Sequence, residues 1–378
     1  MTQSSGIIPR KPGISRTIFI IGLVVVAVVS GLTGYLLNGY LHPPPPSVTL
    51  NGDGSSFIFP VLSAMGTNYS RTHSNVYVNY QAVGSGAGVK DLTNKIVDFA
   101  ASDFPLSDAQ RTAAPNVLHI PTTVGAVVLA YNIPGISSGL RLDAPTIAGI
   151  FQGSITKWND PAITAINSLT MPNQNITTIH RSDTSGTTFV FTGWLNSTSG
   201  SGWNPTYGQN KNWLAPGGKG APQNSGVATA ILITPYSIGY VESAYAIQNH
   251  MSQSYVKNTA GTYVQPSLVN ATYAVSNSTG SLPSGDQSWK TINLLNKNGA
   301  DTYPIVSFSY VLAYKDLSVV NGMTLDKAKA LVDFLWFAVH TGQSLSSGLD
   351  YVALPLRVVQ IDEASIQSIT FNGQALPV

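Results

Sequence analysis

Short, β-branched apolar runs alternate with helix-patterned stretches along most of this chain, and that rhythm limits the folds open to it. Residues 48–51 read as a strand, and a helix is expected from about Phe57 to Arg71. Residues 76–82 alternate like a strand, 88–95 like a helix, and 97–101 form a further short strand. Residues 117–121 and 124–133 are continuously apolar and rich in Val, as strands buried on both faces tend to be. Near the end, a strand is predicted around 305–314 and a helix over 325–340, with Ala328, Leu331, Val332, Leu335 and Val339 on one stripe. A βαβ rhythm implies parallel sheets covered by helices, an α/β architecture. Two polar stretches, 196–224 and 258–286, have few apolar repeats. The first reads as a long surface insertion, and the second has a similar character.

Charge is scarce in this chain. Asp, Glu, Lys and Arg make up 10% of it, against roughly 25% in an ordinary soluble protein. Residues 1–46 hold Arg10, Lys11 and Arg16 and no acid, so the body beyond them carries 16 cations against 17 acids, a formal charge of −1. The basicity of the whole chain therefore belongs to its first residues and is no nucleic-acid footprint. The body, residues 47–378, is too long for one ordinary core and accommodates two lobes. The absence of cysteine excludes a disulfide framework, thiolate metal sites and a lipidated cysteine. Sequons at Asn68, Asn175, Asn196, Asn270 and Asn277, together with the low charge, suit a glycosylated external protein.

Residues 18–37 (IFIIGLVVVAVVSGLTGYLL) carry no charge. Twenty residues at about 1.5 Å rise span roughly 30 Å, the hydrocarbon thickness of a bilayer. The flanking cations lie only on the N-terminal side, which predicts a transmembrane anchor with the body outside the cell. A cleaved signal peptide is the alternative. Pro43 to Pro46 form a stiff extended spacer beyond it.

Three segments in the body share one design, a Gly/Ser turn running into a helix. They are Gly52-Asp53-Gly54-Ser55-Ser56-Phe57, Gly84-Ser85-Gly86-Ala87-Gly88 and Asp183-Thr184-Ser185-Gly186-Thr187. The first N–H groups of a helix lack intrahelical partners and carry partial positive charge, while glycines let a ligand approach the backbone. With hydroxyls at Ser56, Ser85, Ser185 and Thr187, three such turns meeting at one point would cradle a tetrahedral anion. Each alone is an ordinary cap or turn. The second turn lacks the Gly-Lys-Ser/Thr ending of a nucleotide-binding loop. Arg181 could fork onto two oxygens of an oxyanion, or else make a surface pair with Asp183. Asp103 ends a strand, where a parallel sheet places its ligand site.

At these residues the chain resembles the phosphate-binding proteins of ABC-type phosphate importers. Residues 78–86 (VNYQAVGSG) are similar to that family's second strand and serine loop, and residues 97–103 (VDFAASD) to its VDFGASD signature. Residues 155–163 (ITKWNDPAI) resemble a segment entering a helix, with Asp160 as N-cap and Pro161 at N1. Residues 181–191 (RSDTSGTTFVF) resemble its RxDxSGTxFxF element, and 237–242 (SIGYVE) and 349–351 (LDY) also match, all in order from about Val48 to Pro355. The resemblance implies a two-lobed periplasmic-binding-protein (Venus flytrap) fold that clamps inorganic phosphate and delivers it to permease subunits. It implies ligand contacts from Ser56, the Phe57 backbone N–H, Ser85, Asp103, Arg181, Ser185, Gly186 and Thr187, with Asp183 holding Arg181. The expected lobes are 47–124 with 301–378, and 125–300. The chain departs from the pattern at Ser55-Ser56, commonly Ala-Thr, and at Ser85-Gly86-Ala87-Gly88, where a second serine and a glycine pair are common.

An enzyme is the rival class. Its six histidines, His42, His73, His119, His180, His250 and His340, show no metal-ligand spacing and no evident nucleophile partner. Binding without catalysis, cofactor or metal is expected. A phosphate-responsive surface sensor, or a binder of another oxyanion, is the alternative.

Overall fold

In the computed structural model the described residues are 47–198, 200–204, 208–209, 218–278 and 280–378. The expected anchor at 18–37 and the proline spacer lie outside them. Among the described residues no helix is long and apolar enough to cross a membrane.

The first half alternates as its pattern requires: β1 (Val48–Gly54), α1 (Phe59–Thr72), β2 (Val76–Ala82), α2 (Ser85–Thr93), β3 (Phe99–Ser102) and then β4 (Val117–Asn132). The middle contributes β5 (Thr177–Arg181), α3 (Gly186–Ser197), β6 (Lys219–Ala221), α4 (Gln223–Ile233) and β7 (Ser237–Glu242). The chain closes with β8 (Val306–Tyr314) and α5 (Leu325–Val339), followed by a helix over Leu356–Gln367. The large sheet runs β2-β1-β3-β8-β4-β7-β5-β6, with Ser252–Gln253 pairing off β4.

That sheet is mixed, which corrects the expectation of purely parallel pairing. Parallel sets lie at its two ends, β2-β1-β3 and β7-β5-β6. Between them β8 and β4 are antiparallel to each other and to their outer neighbours. The apolar runs 117–121 and 124–133 are one sixteen-residue strand, not two. Pro121 cannot donate to a ladder, and the strand absorbs it with a register shift: Ser309 faces Thr123 while Tyr310 faces Pro121. Along β4 the partner changes from β8 at Ala126 to β7 at Val127.

The stripe foreseen on the last long helix is buried in full, and α5 is capped by Thr324, whose hydroxyl accepts from Lys327 N at 3.2 Å. Phe334 of that helix lies 6.0 Å from the Phe99 ring and 5.4 Å from the Tyr69 ring, tying it to β3 and α1. Full burial of one such phenylalanine contributes roughly 1.5–3 kcal/mol. Asp160 caps a single turn, Pro161–Thr164, accepting from Ala162 N at 2.9 Å. The polar stretches hold more structure than their composition suggests: Leu268–Ser276 is a helix capped by Ser267, and α4 begins inside the supposed surface insertion.

Candidate functional site

All three Gly/Ser turns start helices. Between β1 and α1 the residues Ser55, Ser56 and Phe57 are buried, and Ile58 at the N-cap offers no side-chain cap. The Phe57 N–H, expected to face a ligand, donates here to Ser55 Oγ at 2.9 Å. The second helix starts at Ser85, three residues earlier than its apolar pattern indicated, because Gly84 turns the chain at φ +94°. A β-carbon there would meet Asp183 Oδ2 at 2.5 Å, so the position is closed to other residues on two counts. The third helix starts at Gly186 and is capped by Ser185, whose hydroxyl accepts from Thr188 N at 3.0 Å.

Asp103 follows β3 and is 2% exposed. Ser55 and Ser309 hydroxyls each donate to it at 2.6 Å, and Ser85 Oγ donates at 3.2 Å. Burial pushes its pKa up to about 6, against the lowering effect of these hydroxyls and of the Arg181 charge. Ser309 was not legible as a site residue. It stands in an apolar strand, beside the register shift of β8 on β4.

Arg181 ends β5 and is 1% exposed, so its pair with Asp183 is not the weak surface contact that the two-residue spacing allowed. Nε donates to Asp183 Oδ1 at 2.6 Å, Nη2 to Asp183 Oδ2, and Nη1 to Thr187 Oγ1 at 3.3 Å. Gln223 N also donates to Asp183 Oδ1, at 3.1 Å.

The two groups meet. A β-carbon on Gly186 would lie 2.3 Å from Asp103 Oδ2 and 2.6 Å from Ser85 Oγ, so the start of α3 touches the Asp103 cluster. Gly86 N donates to Thr184 O at 3.1 Å. Ser56 and Thr187 are bridged by Asn224, a residue the polar composition of 196–224 concealed. Of the expected contacts only Asp103 borders a cavity of about 250 Å³ walled by Phe189, Lys290 and Tyr310. The others close on one another. The result is a buried ring of hydroxyl and N–H donors with one guanidinium and one acceptor carboxylate. It is suited to holding a small oxyanion that still carries a proton.

An α/β chain with a mixed central sheet and such a donor ring between helix starts is a solute receptor of the periplasmic-binding type. The family described as "PBP superfamily domain" matches residues 42–338. The chain belongs, more narrowly, to the PstS family of phosphate-binding proteins. It is 38% identical over 343 residues to phosphate-binding protein PstS of Xylella fastidiosa, covering 88% of this chain and 90% of that one. It is 37% identical over 319 residues to PstS of Pasteurella multocida, covering 82% and 88%. Among solved structures, a phosphate-binding protein from Stenotrophomonas maltophilia has the same fold, with a TM-score of 0.66 at 17% identity over 84% of this chain and 94% of that one. The fold is thus the two-lobed α/β periplasmic-binding type.

Proposed function

We propose that this chain captures inorganic phosphate outside the cell and delivers it to the permease of an ABC importer, without catalysis. The observation that carries this reading is the buried Asp103 carboxylate, ringed by serine hydroxyls and touching the donor-rich start of α3 beside Arg181. Relatives at 37–38% identity are phosphate-binding proteins, which supports the same ligand. Contacts to phosphate would come from Ser56, the Phe57 backbone, Ser85, Asp103, Arg181, Ser185, Gly186 and Thr187. Asp183 would hold the guanidinium. The Phe57 N–H would exchange Ser55 for the anion.

The lobes of this reading are 47–124 with 301–378, and 125–300, and the change of partner along β4 between Ala126 and Val127 supports a crossing there. The uncharged run at 18–37 would hold the body at the outer membrane surface, with Pro43 to Pro46 as spacer and the sequons glycosylated. Calorimetry of the purified protein against phosphate, arsenate, sulfate and molybdate tests the ligand. Phosphate and arsenate should bind tightly. Tight sulfate binding with weak phosphate binding would overturn the assignment.

A further inference from the structure

Asn224 is wholly buried at the start of α4 and makes four hydrogen bonds. Its backbone N–H donates to Ser56 Oγ at 3.0 Å. Its Nδ2 donates to Ser56 Oγ at 3.0 Å and to Thr187 Oγ1 at 3.0 Å. Its Oδ1 accepts from Glu242 N at 3.0 Å. That last bond fixes the amide, because turning it over would set an NH2 group against a backbone N–H.

A hydroxyl has one proton to give and two lone pairs. Both lone pairs of Ser56 are filled by Asn224. Those of Thr187 are filled by Asn224 Nδ2 and by Arg181 Nη1 at 3.3 Å. Neither oxygen can accept more, so each must donate. Among the described residues no acceptor takes either proton. Two buried donors are thus held ready with nothing to receive them, an arrangement that is costly unless a ligand supplies the acceptor.

We infer that Asn224 is a positioning residue for anion binding: by filling the lone pairs of Ser56 and Thr187 it commits both hydroxyls to donate to unprotonated oxygens of the anion. The inference rests on the phosphate reading above. It assigns the anion an orientation, since a protonated oxygen is rejected beside Asn224 and is accepted only at Asp103. Asn224 therefore acts through two other side chains and touches no ligand itself.

The test is a double-mutant cycle in the full chain, read by calorimetry with inorganic phosphate. Asn224→Ala should weaken binding by about 10- to 100-fold in the wild-type background, the range expected for losing aligned donors to a charged group. With both hydroxyls already removed (Ser56→Ala with Thr187→Val), the same change should cost less than about threefold. Equal losses in the two backgrounds would overturn the inference. A second readout is the pH profile. At pH 5 phosphate carries a second proton, which a freed hydroxyl can accept, so Asn224→Ala should lose less affinity at pH 5 than at pH 8; parallel profiles would mean a purely structural role.

Should Asn224→Ala fail to fold, the single variants Ser56→Ala and Thr187→Val decide. Each should lose roughly tenfold in affinity, and wild-type binding by both would sink the inference. Failure of the phosphate reading is seen separately, as a wild-type protein that prefers sulfate, and the cycle is then run with sulfate.

Discussion

Asp103 and Arg181 carry opposite charges, lie in one buried ring and are held in contrasting ways. Three serine hydroxyls donate to Asp103, and the Arg181 charge acts on it only through space. Arg181 is gripped by a second carboxylate, Asp183, through Nε and Nη2, and reaches Thr187 through Nη1. Three of its five N–H donors are thereby used, and two have no partner among the described residues. The difference separates two tasks. A carboxylate held by neutral donors can respond to the proton on an anion, whereas a guanidinium locked by a carboxylate presents fixed charge to it. Affinity should therefore depend chiefly on the Arg181 side and selectivity on the Asp103 side.

The largest expected effect comes from breaking the Arg181 side. Arg181→Met removes the one cation of the ring and leaves Asp183 facing a partly buried void. Loss of a buried charge partner costs about 3–5 kcal/mol, so phosphate affinity should fall by roughly a hundredfold to several thousandfold. Calorimetry checks it. A loss below about tenfold would mean that the guanidinium serves Asp183 and not the ligand.

Asp103→Asn should act on choice more than on strength. An ionised carboxylate is an acceptor only and meets an unprotonated sulfate oxygen as lone pair against lone pair, a penalty on the order of several kcal/mol in a desolvated ring. The native protein should therefore prefer phosphate over sulfate by roughly a thousandfold. The amide of the variant can donate, so the preference should shrink to about tenfold. Competition of sulfate against bound phosphate measures it, and an unchanged ratio would refute the division of tasks.

The two sides also differed in how far the sequence revealed them. Ser56, Ser85 and the run from Arg181 to Thr187 were legible because a Gly/Ser turn before a helix is a local pattern, and the structure brings all of them together. Ser309 was not, because an apolar strand gives no sign which of its polar residues the pairing will aim inward; the register shift opposite Pro121 accompanies that aim. Asn224 stood at the end of a Gly/Asn-rich stretch and looked like solvent-facing polarity, yet it is completely buried. The α/β rhythm gave the parallel ends of the sheet, and the antiparallel pair β8 and β4 at its centre has no local signature. In the sequence Ser55 is simply part of a turn, and its role as a donor to Asp103 depends on a contact 48 residues away in sequence.

Acid should strengthen the ligand-free fold. Burial raises Asp103 to about 6 and Glu242 to about 8, both above the usual carboxyl range. A group whose folded pKa lies above its unfolded value is fully stabilising, relative to its ionised form, below the unfolded pKa, and that contribution is lost as pH rises through the folded pKa. The Asp103 contribution is thus lost between about pH 4 and 6 and the Glu242 contribution between about pH 4 and 8. Asp286 and Asp316 are shifted down by their hydroxyl and backbone donors and act in the opposite sense, below about pH 4. The melting temperature of the phosphate-free protein should therefore rise on acidification from pH 8 to about 5 and fall again below about 4. In Asp103→Asn the rise between pH 6 and 5 should become shallower, with the Glu242 part retained. Scanning calorimetry across this range checks both, and a stability maximum above pH 7 would contradict the burial argument. Low charge and an acid optimum would fit an acidic medium outside the cell.

The smallest expected effect is that of salt, and it bears on whether Arg181 works as buried charge. A basic surface patch attracts anions across solvent, and its attraction collapses when the Debye length shrinks from about 30 Å at 0.01 M to about 3 Å at 1 M. Arg181 is 1% exposed, and its nearest charge, Asp183, is in direct contact. With the guanidinium opposed by Asp103 and Asp183, the ring has no excess of positive charge for chloride to screen. Its attraction comes from the buried guanidinium together with N–H and O–H donors at contact distance, where intervening ions have no room to act. Phosphate affinity should therefore change by less than about threefold between 0.02 M and 0.5 M sodium chloride. Titrations at four salt concentrations suffice. A slope approaching tenfold per decade of salt would place the recognising cation at the surface, and would return the Arg181–Asp183 pair to an ordinary structural contact.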